Sequence, residues 1–134
     1  MNRDYAVLIV DESPHEAAVI TSAIRLHDAR MAVRTVANAQ AAVDYLHDAG
    51  SSAQTQLVIL GARALGEAPE FLARLNGARR RHAIVGIAPD VLGAVRERAL
   101  KAGVLEIHRR PATWAEYRDL VRAILQSWLE AERP

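Results

Sequence analysis

Gln56-Leu57-Val58-Ile59-Leu60-Gly61 is the stretch on which the fold turns. Leu57 to Leu60 are apolar without interruption. A strand with one wet face alternates apolar and polar residues, so an unbroken run means that both faces are covered. Four other runs are rich in Val, Ile and Leu and nearly continuous in apolarity: Tyr5–Val10, Ala32–Ala37, Ala83–Ala88 and Val104–His108. With Gln56–Leu60 they make five expected strands.

Helical patterns separate and follow the strands. Ser13-Pro14-His15-Glu16 reads as a capping box with proline at the first helical position, and Ala17, Ile20 and Ile24 then share a face. Asn38 is suited to cap a second helix with Ala42, Val43 and Leu46 inward. Residues 49–55 are small and polar and read as a loop. Pro69 opens a third helix through Phe71, Leu72 and Leu75, ending near Asn76-Gly77. Asp90 is placed to cap a fourth, with Val91, Val95 and Ala99 inward and Gly103 as its stop. Thr113-Trp114-Ala115-Glu116 is a second capping box and starts the last helix.

Strand–helix alternation with short connections implies a doubly wound α/β domain, a five-stranded parallel sheet with helices on both faces. Ligands and chemistry in such sheets gather at the carboxyl ends of the strands. Asp11, Glu12, Gly61, Ala88 and Arg110 all fall at those ends. A chain of 134 residues fits one domain, with its core over about 5–129. Formal net charge is +1, which points to neither nucleic acid nor membrane. There is no cysteine, which excludes disulfides, thiol catalysis and cysteine metal sites. Neither a signal peptide nor a bilayer-spanning run is evident, so the expectation is a cytoplasmic protein.

The ordered set of Asp11-Glu12, Gly61, Ile87-Ala88-Pro89 and Arg110-Pro111 resembles the receiver domain of bacterial two-component response regulators, over about Tyr5 to Trp128. The resemblance implies a flavodoxin-like (βα)5 fold. It implies a Mg²⁺ site at the acidic pair, here Asp11 and Glu12, although one ligand of that site is gone and binding is expected to be weak. It also implies that the phosphoryl acceptor has been lost, because Gly61 stands where the family carries an aspartate. Ala88 replaces a hydroxyl residue, Arg110 a lysine, and Ile107 the aromatic on strand five. No aspartate lies between Asp48 and Asp90, and Glu67, the first acid after the third strand, is expected well into a loop. Phosphoryl transfer depends on close positioning of nucleophile, metal and cation, so a displaced carboxylate is a poor substitute. Two readings of Arg110 remain open. It turns into the emptied site and pairs with Asp11 or Glu12, since a guanidinium suits a carboxylate bidentately, or it extends into solvent over hydrated acids.

The expectation is a degenerate receiver, not an enzyme, that works by binding. The partner would be a second copy, a sensor histidine kinase, a phytochrome or another response regulator, with no nucleic acid or membrane. The alternatives are a phosphorelay receiver with a non-standard acceptor, or a small-molecule module using the vacated site. On the last helix Trp114, Tyr117, Leu120, Val121, Ile124, Leu125, Trp128 and Leu129 cover about half the circumference. A helix that only covers a sheet needs a stripe nearer about 100° wide. The excess marks Trp114, Tyr117, Val121, Ile124, Leu125 and Trp128 as an expected homodimer interface, and the pattern is similar to single-domain regulators that work with bacterial phytochromes. Arg79-Arg80-Arg81-His82 reads as a solvated basic loop after a helix. The five histidines show no metal-ligand spacing.

Overall fold

The computed structural model describes residues 5–49, 55–75, 82–90 and 93–131. The order of elements is β1 (Tyr5–Val10), α1 (Pro14–His27), β2 (Ala32–Val36), α2 (Ala39–Ala49), β3 (Thr55–Leu60), α3 (Ala62–Gly66), α4 (Ala68–Leu75), β4 (Ala83–Ala88), α5 (Gly93–Ala102), β5 (Glu106–Arg109) and α6 (Trp114–Ala131). The strands form one parallel sheet in the order β2-β1-β3-β4-β5. The doubly wound α/β architecture read from the apolar runs is therefore present.

Side chains alternate across the sheet, and each face builds its own core. Leu8, Val10, Val58, Leu60 and Ile84 pack with residues of α2, α3, α4 and α5. Val7, Ile9, Leu57, Ile59, Val85 and Ile87 pack with α1 and α6. The central strands are buried on both sides, which is why they read as unbroken apolar runs.

Several helix ends follow the sequence signals. Ser13 Oγ accepts from the Glu16 N–H at 3.2 Å. Asn38 Oδ1 accepts from the Ala41 N–H at 2.8 Å. At α6 the box is reciprocal: Thr113 Oγ1 accepts from the Glu116 N–H, and Glu116 Oε1 accepts from the Thr113 N–H, both at 3.2 Å. Gly103 ends α5 with a φ of 125°, a conformation that a side chain disfavours.

Other boundaries differ from expectation. The segment after β3 is not a loop running to Pro69 but a short helix, α3, that starts at Ala62, directly after Gly61. Leu65 anchors it, seated over Gly86 of β4 where a Cβ would lie 2.8 Å from the Leu65 Cδ1. Glu67 is accordingly the exposed joint between α3 and α4. β5 begins at Glu106, not Val104, because its ladder to β4 opens with Val85 opposite Glu106. α5 is described from Gly93 onward, and the turn in which Asp90 was expected to cap it lies outside the described residues. Val91, the Asn76-Gly77 stop and Arg79-Arg80-Arg81 lie outside the described residues.

Candidate functional site

Three backbone hydrogen bonds carry the ladder one residue past the strands and set the floor of the site. Asp11 donates to the Val36 carbonyl at 3.0 Å, Gly61 to Val10 at 2.9 Å, and Arg110 to Ala88 at 2.8 Å. Asp11, Glu12, Gly61, Ala88 and Arg110 are thereby brought to one end of the sheet, as the parallel topology requires. A hollow of about 280 Å³ opens there, lined by Asp11, Ser13, Asn38, Gly61, Arg63 and Arg110 among others. It lies beside the β1/β3 pair, where the order of strands reverses and ligands of such folds commonly bind.

The room at Gly61 is taken by Asp11. A Cβ on Gly61 would fall 2.6 Å from Asp11 Oδ2 and 2.8 Å from Asp11 Cγ. The other oxygen, Oδ1, accepts from the Ser13 N–H at 2.9 Å. That bond takes the donor which a reciprocal capping box would have given to Glu16, so the first box is only half made. The Glu16 carboxylate is released to another use. Its Oε1 lies 3.2 Å from Arg110 Nε and also accepts from the Tyr117 hydroxyl.

Arg110 thus corrects both readings of the sequence. It extends neither into solvent nor onto Asp11 or Glu12; its ion pair is with Glu16 on α1. Glu12 is exposed and lies 3.6 Å from Arg63 of α3, a pair expected to contribute little. Glu16 and Tyr117 were overlooked as members of the site. Glu16 was concealed by its role in a capping motif, and Tyr117 by its place in an apolar stripe.

Burial holds the Asp11 carboxyl above its ordinary value of 3.8; the Ser13 N–H opposes this and the Glu16 charge adds to it. Burial, and then the hydrogen bond to Glu16, likewise push the Tyr117 hydroxyl upward. The consequence for Asp11 has a definite sign. Its folded form binds a proton more tightly than its unfolded form, so stability falls as pH rises from 3.8 through the raised folded value. Asp11→Asn, which retains an acceptor for Ser13, should remove that loss. We expect a higher thermal midpoint than wild type at pH 7 and convergence of the two at low pH. A variant less stable at pH 7 would contradict the account.

The donor set does not fit a hard divalent cation. Mg²⁺ is usually held by one or two well-placed carboxylates with water and phosphate. Here one oxygen of Asp11 is bound to Ser13, the other is turned over Gly61, and Glu12 faces Arg63. Among the described residues no three His, Cys, Asp or Glu side chains converge on one point. A cation at the weak Mg²⁺ site expected at Asp11 and Glu12 would have to draw Asp11 from the Ser13 N–H and Glu12 from Arg63.

Of the six residues expected at a dimer interface, five are buried within the chain. Tyr117, Val121, Ile124, Leu125 and Trp128 are 5% exposed or less, packed with α1 and the sheet, whereas Trp114 is 46% exposed. The wide apolar arc of α6 is used because the helix meets both the sheet and the neighbouring helix α1. Ala88 is buried and Ile107 packs partly against the opposite core. Among the described residues no helix is long and apolar enough to cross a membrane.

No family model and no curated protein matches the sequence. Solved structures do match in fold. The phosphorylated cyanobacterial phytochrome response regulator RcpA aligns with a TM-score of 0.77 at 15% identity, over 98% of each chain. A response regulator in red light signalling of R. palustris gives 0.75 at 16% identity, over 96% of each chain. The Mn²⁺-bound form of response regulator Rcp1 gives 0.71 at 14% identity, again over 96% of each. Together with the parallel β2-β1-β3-β4-β5 sheet, these likenesses identify the fold as that of the response-regulator receiver domain.

Proposed function

We propose that the chain is a receiver-fold interaction module of two-component signalling that works without being phosphorylated. The observation that carries this reading is the Asp11 carboxylate lying over Gly61, in the room an acceptor side chain would need. Three further features agree with it. Ala88 offers no hydroxyl, Arg110 is paired with Glu16, and among the described residues no third carboxylate joins Asp11 and Glu12. A protein of this kind is not an enzyme. It acts in the cytoplasm by presenting a surface to a partner: a second copy, a sensor histidine kinase, a phytochrome or another response regulator.

With five of the six α6 residues buried, the surface for such a partner is the side formed by α5, β5 and the start of α6. Leu100, Leu105 and Trp114 are its exposed large apolar residues, at 38%, 64% and 46%. Large apolar and aromatic groups of this kind serve as interface anchors.

The test is intact-mass measurement after incubation with acetyl phosphate and Mg²⁺, beside a receiver that retains its aspartate. We expect a phosphoryl adduct on the control and none on this chain. A stoichiometric adduct here would overturn the reading, and Glu67, which also lines the hollow, would be the first position to map. The hollow at the switch point supports a second reading, a module that holds a small molecule. Saturable thermal stabilisation by a metabolite, together with absence of the adduct, would favour it.

A further inference from the structure

Arg110 stands between two carboxylates and is fully satisfied by neither. Its Nε is 3.2 Å from Glu16 Oε1, yet this buried N–H makes no aligned hydrogen bond. The same Glu16 oxygen accepts from Tyr117, so two donors share one acceptor. The pair is therefore held by charge and proximity more than by directed bonding. On its other side the Arg110 side chain lines the hollow that also contains Asp11. Its backbone is tied to Ala88, and the following residue is Pro111, whose ring fixes its own φ. Only the side chain is left to move. At 33% exposure that side chain is not locked in by packing.

We propose that Arg110 is a two-position side chain, and that Glu16 and Tyr117 form the clamp that keeps its guanidinium off Asp11. Glu16 belongs to the first turn of α1 and Tyr117 to α6, so the clamp joins the two helices on one face of the sheet to the charge at its end. A partner that shifts α1 against α6 would loosen the clamp and send a positive charge into the hollow. A partner that tightens it would leave Asp11 without a counter-charge. Glu16, Tyr117 and Asp11 are the ionisable groups that act with the guanidinium, and Asp90, His108, Arg109 and Glu116 line the open surface that Arg110 also borders. The device concerns the chain's own side chains, so it stands or falls apart from the question of phosphorylation.

The test is an NMR titration of the Asp11 carboxyl in wild type, Glu16→Gln, Arg110→Gln and the double variant. Glu16→Gln removes a negative neighbour and, by the proposal, also brings Arg110 onto Asp11; both effects lower the titration midpoint. The double variant retains only the first. An opposite charge within a few ångströms lowers a carboxyl by about 1 unit or more. We therefore expect Glu16→Gln to lower the Asp11 midpoint by about that much more in the presence of Arg110 than in its absence. Equal shifts in the two backgrounds would overturn the proposal. Tyr117→Phe keeps the buried ring and removes only the hydroxyl, and it carries the test if Glu16→Gln does not fold. It should lower the Asp11 midpoint with Arg110 present and leave it unchanged in Arg110→Gln. An unchanged midpoint in both backgrounds would also overturn the proposal.

Discussion

Gly61→Asp should destabilise the protein at neutral pH by about 1–3 kcal/mol, and Mg²⁺ should reverse much of the loss. The new Cβ would lie 2.6 Å from Asp11 Oδ2, so the Asp11 side chain must rotate away and its bond to the Ser13 N–H is put at risk. The new carboxylate then shares the end of the sheet with Asp11 and Glu12. Like charges at that spacing oppose ionisation, so the penalty should shrink at acidic pH. Three converging carboxylates, unlike two separated ones, give a hard cation a set of ligands. A cation at a hundred times its dissociation constant adds about 2.7 kcal/mol to the folded state. Thermal melts with and without MgCl₂ decide the matter. The variant should gain strongly and the wild type hardly at all. Gly61→Ala separates the steric part, since it displaces Asp11 without adding charge. If Gly61→Ala were as stable as wild type, Asp11 would not be filling that room. Adding Ala88→Thr and Arg110→Lys to Gly61→Asp extends the test to chemistry: the triple variant should become phosphorylatable if the frame is still a receiver.

Phe71→Ala should cost about 3–5 kcal/mol, a loss in the upper range for a core truncation. Phe71 is 1% exposed on α4 and belongs to the core beneath α2, α3 and α5. Its removal forfeits the transfer of an aromatic ring and leaves a cavity that the surrounding strands cannot close. A domain of ordinary stability, about 5–15 kcal/mol, would lose a large share of it. Urea unfolding should show a lower midpoint with an unchanged slope. A loss below about 1 kcal/mol would mean that α4 is not docked as described. α3 and α4 meet at Glu67, so this core also holds the segment that follows Gly61.

The central strands β1, β3 and β4 were legible because a parallel sheet covered on both faces needs unbroken Val, Ile and Leu, whereas the edge strands β2 and β5 carry Arg34, Thr35, Glu106 and Arg109 and are partly exposed. The assembly of Asp11, Glu12, Gly61, Ala88 and Arg110 at one end was legible too, since topology alone places strand ends together. α3 was not, for a physical reason. It runs only from Ala62 to Gly66, with Ala64 and Leu65 as its buried residues, too short to display a helical period. The breadth of apolar residues on α6 was seen correctly, but its cause lay in tertiary packing. Tyr117, Val121, Ile124, Leu125 and Trp128 face the sheet and α1, with Leu120 and Leu129 packed at the margins. The partner of Arg110 was hidden for a similar reason. Glu16 looks like a local cap, and only the Asp11 bond to Ser13 frees it to meet residues from the far end of the chain.

The seat of Leu65 over Gly86 carries a consequence for how such a chain can vary. The slot is less than one methyl group deep, so the size of residue 65 and the emptiness of residue 86 amount to a single choice. A side chain gained at 86 would act as a wedge under α3, and a smaller residue at 65 would leave the slot unfilled. Paired change, such as Leu65→Val with Gly86→Ala, conserves the combined volume, which neither change does alone. Among relatives the two positions should therefore drift together or not at all, and that covariation would mark the chains whose third strand leads directly into a helix.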